Sequence, residues 1–224
     1  FDGQGIAGVH GILGQGLIGT VTVTGSTLEN ISNWAVFDSD SGGGIGDDGL
    51  IGFVFTNNVV RDNDGAIALR GADLASAIPT TSTVVTGNSF SNMNTNLYAG
   101  PCAWPNNQCG WAGIEVTRVV GTATVTNNTF DNLQLGSFGE GEGLQAWMVT
   151  TLVVTGNTFN NCDSGIEIAF QDTHPVNASI NDNSFSNLNR AIGVWDAGGF
   201  LNTPSTTAGI DASCNYWGND NGPY

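Results

Sequence analysis

Four times this chain writes nearly the same nine residues: VVTGNSFSN (84–92), TVTNNTFDN (124–132), VVTGNTFNN (153–161) and SINDNSFSN (179–187). Aligned on the first asparagine, the series extends to Ser26, Asn58, Asn88, Asn128, Asn157, Asn183 and Asn215, at intervals of 26 to 40 residues. Two residues on stand Leu28, Val60, Phe90, Phe130, Phe159, Phe185 and Trp217. Four residues on stand Asn30, Asp62, Asn92, Asn132, Asn161, Asn187 and Asn219. Repetition at this period marks a stack of similar supersecondary units, each too small to bury its own apolar face.

A second series follows several of the phrases: GAIAL (65–69), AGIEV (112–116), EGLQA (142–146), SGIEI (164–168) and RAIGV (190–194). Short period-2 runs of Val, Ile and Thr, punctuated by Gly and Asn, are strands, and no helical periodicity of useful length competes with them. Two or three strands per repeat stack into a solenoid of parallel sheets with rungs about 4.8 Å apart. An inward asparagine amide then donates to one neighbouring rung and accepts from the other. Asn88, Asn128, Asn157, Asn183 and Asn215 are expected to form such a ladder. Phe90, Phe130, Phe159, Phe185 and Trp217 are expected to stack beside it, and Gly87 and Gly156 suit a turn with positive φ. The fold expected is all-β: one domain over residues 1–224, a parallel β-helix of about seven coils, with a loop inserted at 94–110.

The repeated T-G-N-T-F-x-N and the final CNYWGNDNGP (214–223) resemble the repeats and closing coils of the right-handed parallel β-helix proteins, which have the fold of pectate lyases. The resemblance implies fold over nearly the whole chain. It does not fix activity, because lyases, glycosidases, epimerases, tailspikes, adhesins and surface-layer proteins share this architecture.

Charge narrows the partners. The formal net charge is −16, only 11 % of residues are charged, and all four basic residues (Arg61, Arg70, Arg118, Arg190) are arginines. Nucleic acid is excluded, since its phosphates need cations. An anionic membrane or polysaccharide is disfavoured in the same way unless a divalent cation intervenes, and no apolar run is long enough for membrane insertion as a helix. Cys102 and Cys109, in PCAWPNNQC, are spaced for a local disulfide, and Asn30, Asn127 and Asn177 head glycosylation sequons. Both features point to an extracellular or cell-surface location. Cys162 falls where other repeats carry Ile31, Met93, Leu133 or Leu188 and reads as a buried apolar thiol. Cys214 has no evident partner.

Alternation along the second series turns Glu115, Gln145 and Glu167 outward, with Trp147 and Trp195 two positions further on. Two rungs put the glutamates roughly 10 Å apart at the backbone. Their side chains can close this to the about 6.5–9.5 Å of an inverting glycosidase, and exposed indoles offer flat surface for a sugar ring. A solvated acidic surface is the competing reading. FDSDSGGGIGDDG (37–49) gathers Asp38, Asp40, Asp47 and Asp48 around glycines, an oxygen-rich set suited to calcium or simply an acidic loop. It lacks the ligand spacing of an EF-hand. Pectate lyases set an arginine base beside a calcium-binding acidic cluster, whereas here Arg118 and Arg190 have no such cluster on matching coils. The Gly-His-Gly and Arg-x-Lys of polygalacturonases are absent. His10 and His174 stand alone, which argues against zinc.

Most distinctive residues thus serve stacking, and the leading functional expectation is a non-catalytic structural or adhesive solenoid that needs no cofactor. With no amphipathic helix to cover either terminal rung, two expectations stand side by side: a piece of a longer β-helix, or head-to-tail self-association into filaments. A protein acting on a neutral glycan, through Glu115, Glu167, Gln145, Trp147 and Trp195, is the alternative.

Overall fold

The computed structural model describes residues 1–4, 6, 9–14, 19–39, 52–70, 80–93, 112–117, 119–133, 141–170, 176–196 and 209–218. Twenty strands form three parallel sheets of seven, seven and six strands. Sheet 1 comprises Ile12–Gly14, Trp34–Ser39, Gly65–Arg70, Ala112–Thr117, Glu142–Trp147, Ser164–Phe170 and Arg190–Asp196. Sheet 2 comprises Thr20–Thr24, Gly52–Thr56, Thr80–Thr86, Val119–Thr126, Thr151–Thr155, Asn177–Asn181 and Ile210–Asp211. Sheet 3 comprises Thr27–Glu29, Val59–Asn63, Ser89–Met93, Thr129–Leu133, Thr158–Asn160 and Ser184–Ser186. The chain visits the sheets in that order and then starts again one rung on, so each circuit is one coil of a parallel β-helix. The described residues contain no helix.

Corners between sheets 2 and 3 turn on a single residue with positive φ: Gly25, Asn57, Gly87, Asn127, Gly156, Asp182 and Cys214, at 54–69°. Glycine, asparagine and aspartate tolerate this left-handed conformation best. The alternation of Gly and Asn has a packing reason. A Cβ on Gly87 would sit 2.6 Å from Asn57 Oδ1, and one on Gly156 would sit 2.6 Å from Asn127 Oδ1. Each asparagine amide therefore lies over the glycine of the next coil. The corners leading towards sheet 1 use Asn30, Asp62, Asn92, Asn132, Asn161 and Asn187, at 54–60°. These side chains form a ladder on the outside, in which Asn92 Nδ2 donates to Asp62 Oδ1 (2.9 Å) and Asn132 Nδ2 to Asn92 Oδ1 (2.8 Å). The repeated phrase thus uses its two asparagines differently, the first as an interior rung and the second as an exterior left-handed corner.

The interior ladder runs from Asn58 to Asn215. Asn88 donates from both its backbone N and its Nδ2 to Asn128 Oδ1, each at 2.9 Å. Asn128, Asn157 and Asn183 repeat the pair of bonds to the next coil at 2.9–3.0 Å. The second Nδ2 hydrogen goes back to a carbonyl of the preceding coil, Phe55 O for Asn88 and Val85 O for Asn128. A buried amide without these partners would cost about 1–3 kcal/mol, which is why the residue recurs.

Beside it runs the aromatic column. Ring centroids are 4.9 Å apart for Phe90–Phe130, 4.7 Å for Phe130–Phe159, 5.1 Å for Phe159–Phe185 and 5.2 Å for Phe185–Trp217. Across the core these rings meet glycine. A Cβ on Gly143 would stand 2.6 Å from Phe159 Cδ1, and one on Gly165 would stand 2.9 Å from Phe185 Cδ1. That contact accounts for the glycine in AGIEV, EGLQA and SGIEI. Cys162 is buried in the same core, its Sγ 3.3 Å from Asn160 O, and burial pushes its pKa up to about 12. Cys214 is exposed.

Candidate functional site

Sheet 1 sets Phe37, Ala68, Glu115, Gln145, Glu167 and Gly193 in one column through in-register pairing. The neighbouring column holds Ser39, Arg70, Thr117, Trp147, Ala169 and Trp195. Flanking residues Ile114, Val116, Leu144, Ala146, Ile166 and Ile168 point into the core, so strand alternation directs the two carboxylates and the amide away from it. Glu115 and Glu167 lie on either side of Gln145, two rungs apart.

Outward does not mean solvated here. Glu115, Gln145 and Glu167 are each only 6 % accessible, and Glu142, which opens the Gln145 strand, is 4 % accessible. Trp34, Ala68 and Ala112 make a small apolar cluster of their own. An open acidic platform is therefore not what these coils present. Trp147 is the exception at 39 %; Trp195 shares its column by backbone register.

Glu167 has two polar partners. Arg190 Nη1 approaches its Oε1 at 2.7 Å and Ser164 Oγ donates to the same oxygen at 3.3 Å. Burial, the largest influence, raises the Glu167 pKa above the ordinary 4.5; Arg190 and Ser164 pull it back, and the nearby Asp163 adds to the rise. Thr117 Oγ1 lies 3.4 Å from Glu115 Oε1, a long hydrogen bond. Arg190 thus has one acidic partner, Glu167 on the preceding coil, which is an ion pair and not the calcium-binding cluster of a pectate lyase. The register signal was available, since Arg190 stands opposite Ser164, three residues before Glu167.

The other expected sites separate. Asp38 lies in Trp34–Ser39, paired with Leu69, on the far side of the sheet from Glu167 in rung order. Asp40, Asp47, Asp48, Cys102, Cys109 and His174 lie outside the described residues. Among the described residues, no group of three or more His, Cys, Asp or Glu side chains could hold a metal ion. Among the described residues, no helix is long and apolar enough to cross a membrane. Of the sequon asparagines, Asn30 donates to Asp2 Oδ1 (3.0 Å), Asn127 occupies a corner, and Asn177 is exposed on sheet 2. Chemically, the sheet 1 column offers a half-paired carboxylate of raised pKa, a second carboxylate two rungs away, an amide between them and an indole at the rim.

Compared with known proteins, the chain matches over residues 8–206 the family model described as a right handed beta helix region, and it belongs to that family. No curated protein and no solved structure matches it.

Proposed function

We propose that this right-handed β-helix is a structural or adhesive solenoid that works outside the cell, as a rigid rod rather than as a catalyst. One observation carries the reading. The side chains that recur are consumed by rung-to-rung bonding, from the asparagine ladder to the stacked rings. The outward carboxylates are withdrawn from water, with Glu167 paired to Arg190. Such a lattice of repeated contacts resists unfolding and leaves little free chemistry. Molecules joining along the axis, with the asparagine and aromatic columns continuing from one to the next, are the assembled form of this role. Electron microscopy of concentrated protein, with and without calcium, tests that form. Rods longer than one molecule support it, and discrete monomers under every condition overturn it.

A second reading rests on Trp147, which stands 39 % exposed in the column beside Glu115, Gln145 and Glu167. Indole next to carboxylates suits a neutral sugar chain. A screen of soluble glycans for binding and cleavage separates the two. Turnover that disappears in Glu115→Gln or Glu167→Gln would establish the glycosidase, whereas binding lost only in Trp147→Ala would make the face a lectin site.

A further inference from the structure

Sheet 2 has an outward face of a different kind. In its first six strands the inward residues alternate strictly with outward ones: Val21 and Val23, Phe53 and Phe55, Ala123 and Val125, Leu152 and Val154 pack into the core. Between and beside them, three outward positions per coil line up in unbroken register from Thr20–Thr24 to Asn177–Asn181. One column reads Thr24, Thr56, Thr86, Thr126, Thr155 and Asn181. Over these six strands threonine is the commonest outward residue, valine, serine, asparagine and one glycine make up the rest, and none is charged or aromatic; the first charge, Asp211, stands opposite Ser179 on the short seventh strand. In a chain with 20 acidic and four basic residues, that exclusion needs a cause.

The missing chemistry removes the usual occupants. Without aromatic rings there is no platform for sugar stacking, and without cations there is nothing for phosphate or carboxylate. What remains is a regular array. Outward groups repeat about every 4.8 Å along the axis and about every 6.7 Å along each strand. β-Branched side chains have restricted χ1 rotation, and hydroxyl pairs link neighbouring coils, Thr56 to Thr24 at 3.0 Å and Thr126 to Thr86 at 2.8 Å. The pairing is in register through all six strands, so each coil repeats the spacing of the one before.

We propose that the sheet 2 face binds ice. Water oxygens on an ice surface recur at distances of the same size in two perpendicular directions. A rigid array of methyl and hydroxyl groups at those repeats holds bridging waters in lattice positions, while the methyls exclude mobile water. Charged side chains would organise water around themselves instead, which gives their absence a physical reason. This inference does not depend on either reading of sheet 1.

Nanolitre osmometry on the purified chain tests it, with a freezing-point gap and faceted crystals as the expected result. Thr124→Lys, at the centre of the array, should cut the gap at least fivefold while the circular dichroism spectrum is unchanged. Ser91→Lys, on the outward side of sheet 3, should leave it intact. If Thr124→Lys does not fold, Thr22→Lys on the first coil is read in the same way. No gap from the unaltered chain overturns the proposal, as does an equal loss in Ser91→Lys or none in the threonine variants. Sedimentation showing a dimer that Thr124→Lys dissolves would assign the face to a second copy instead, and retention on crystalline cellulose but not on ice would assign it to a polysaccharide.

Discussion

Inside the solenoid successive coils agree, and on the outward face of sheet 1 they differ. Phe90, Phe130, Phe159 and Phe185 lie ring on ring, and Asn88, Asn128, Asn157 and Asn183 repeat one bonding pattern. The same rungs carry Ala68, Glu115, Gln145, Glu167 and Gly193 outward. The difference lies in what each position answers to. An interior residue is judged by the coil above and the coil below, and its own kind is the best neighbour for an amide that both donates and accepts or for a flat ring. An outward residue of sheet 1 is free of that constraint and changes from rung to rung.

Breaking the interior should therefore cost most. Phe130→Ala removes a ring stacked on both sides, and urea unfolding should show a loss of about 3–5 kcal/mol. Asn128→Ala orphans the two Asn88 donors and the Val85 carbonyl; with one to two of these left unsatisfied after relaxation, the loss should be about 2–3 kcal/mol. A value near that of an ordinary surface substitution would mean that water replaces the ladder. Gly143→Ala asks for space already filled by Phe159 and the Gly165 carbonyl, at 2.6 and 2.8 Å. About 1–3 kcal/mol should be lost, as in other overpacked cores.

The outward column should respond less, and with pH. Because the folded-state pKa of Glu167 is raised, protonation favours the fold: its contribution is complete below the ordinary 4.5 and is lost as the pH rises through the folded value. Glu167→Gln is neutral throughout. Its stability relative to the parent should improve as the pH rises above the ordinary 4.5, offset by loss of the half-exposed Arg190 pair, worth about 1 kcal/mol or less. A relative stability that moves the other way would show that Arg190 outweighs burial. Smallest is a labelling contrast with no effect on stability. At neutral pH a maleimide should modify exposed Cys214 and spare Cys162, whose pKa near 12 and burial keep it a thiol. Mass spectrometry before and after denaturation reads this out.

The contrast also explains how much was legible in the sequence. Interior columns announce themselves, because a position chosen by its neighbours repeats, and Asn88 or Phe130 can be aligned with its counterparts from the sequence alone. The second asparagine of the phrase was equally visible, but its left-handed corner was not, since a buried amide and a positive φ both select asparagine. Period-2 alternation correctly turned Glu115 and Glu167 away from the core and said nothing of their 6 % accessibility, because alternation gives the direction of a side chain and not what surrounds it. Arg190 escaped for a related reason: its partner, 23 residues earlier, becomes a neighbour only once the coils are in register. Asn63, a buried residue whose Oδ1 accepts from Ile31 N at 2.8 Å, hid because it stands where the other coils carry an apolar side chain.

In register, each strand of the solenoid pairs only with the strand one circuit before and one circuit after. A coil cut out from one corner glycine to the equivalent corner residue of the next would bring matching partners together, amide to amide and ring to ring. The molecule is in this sense a ruler with movable graduations. Duplicating or deleting one circuit changes its length by about 4.8 Å and leaves the surfaces at either end as they were.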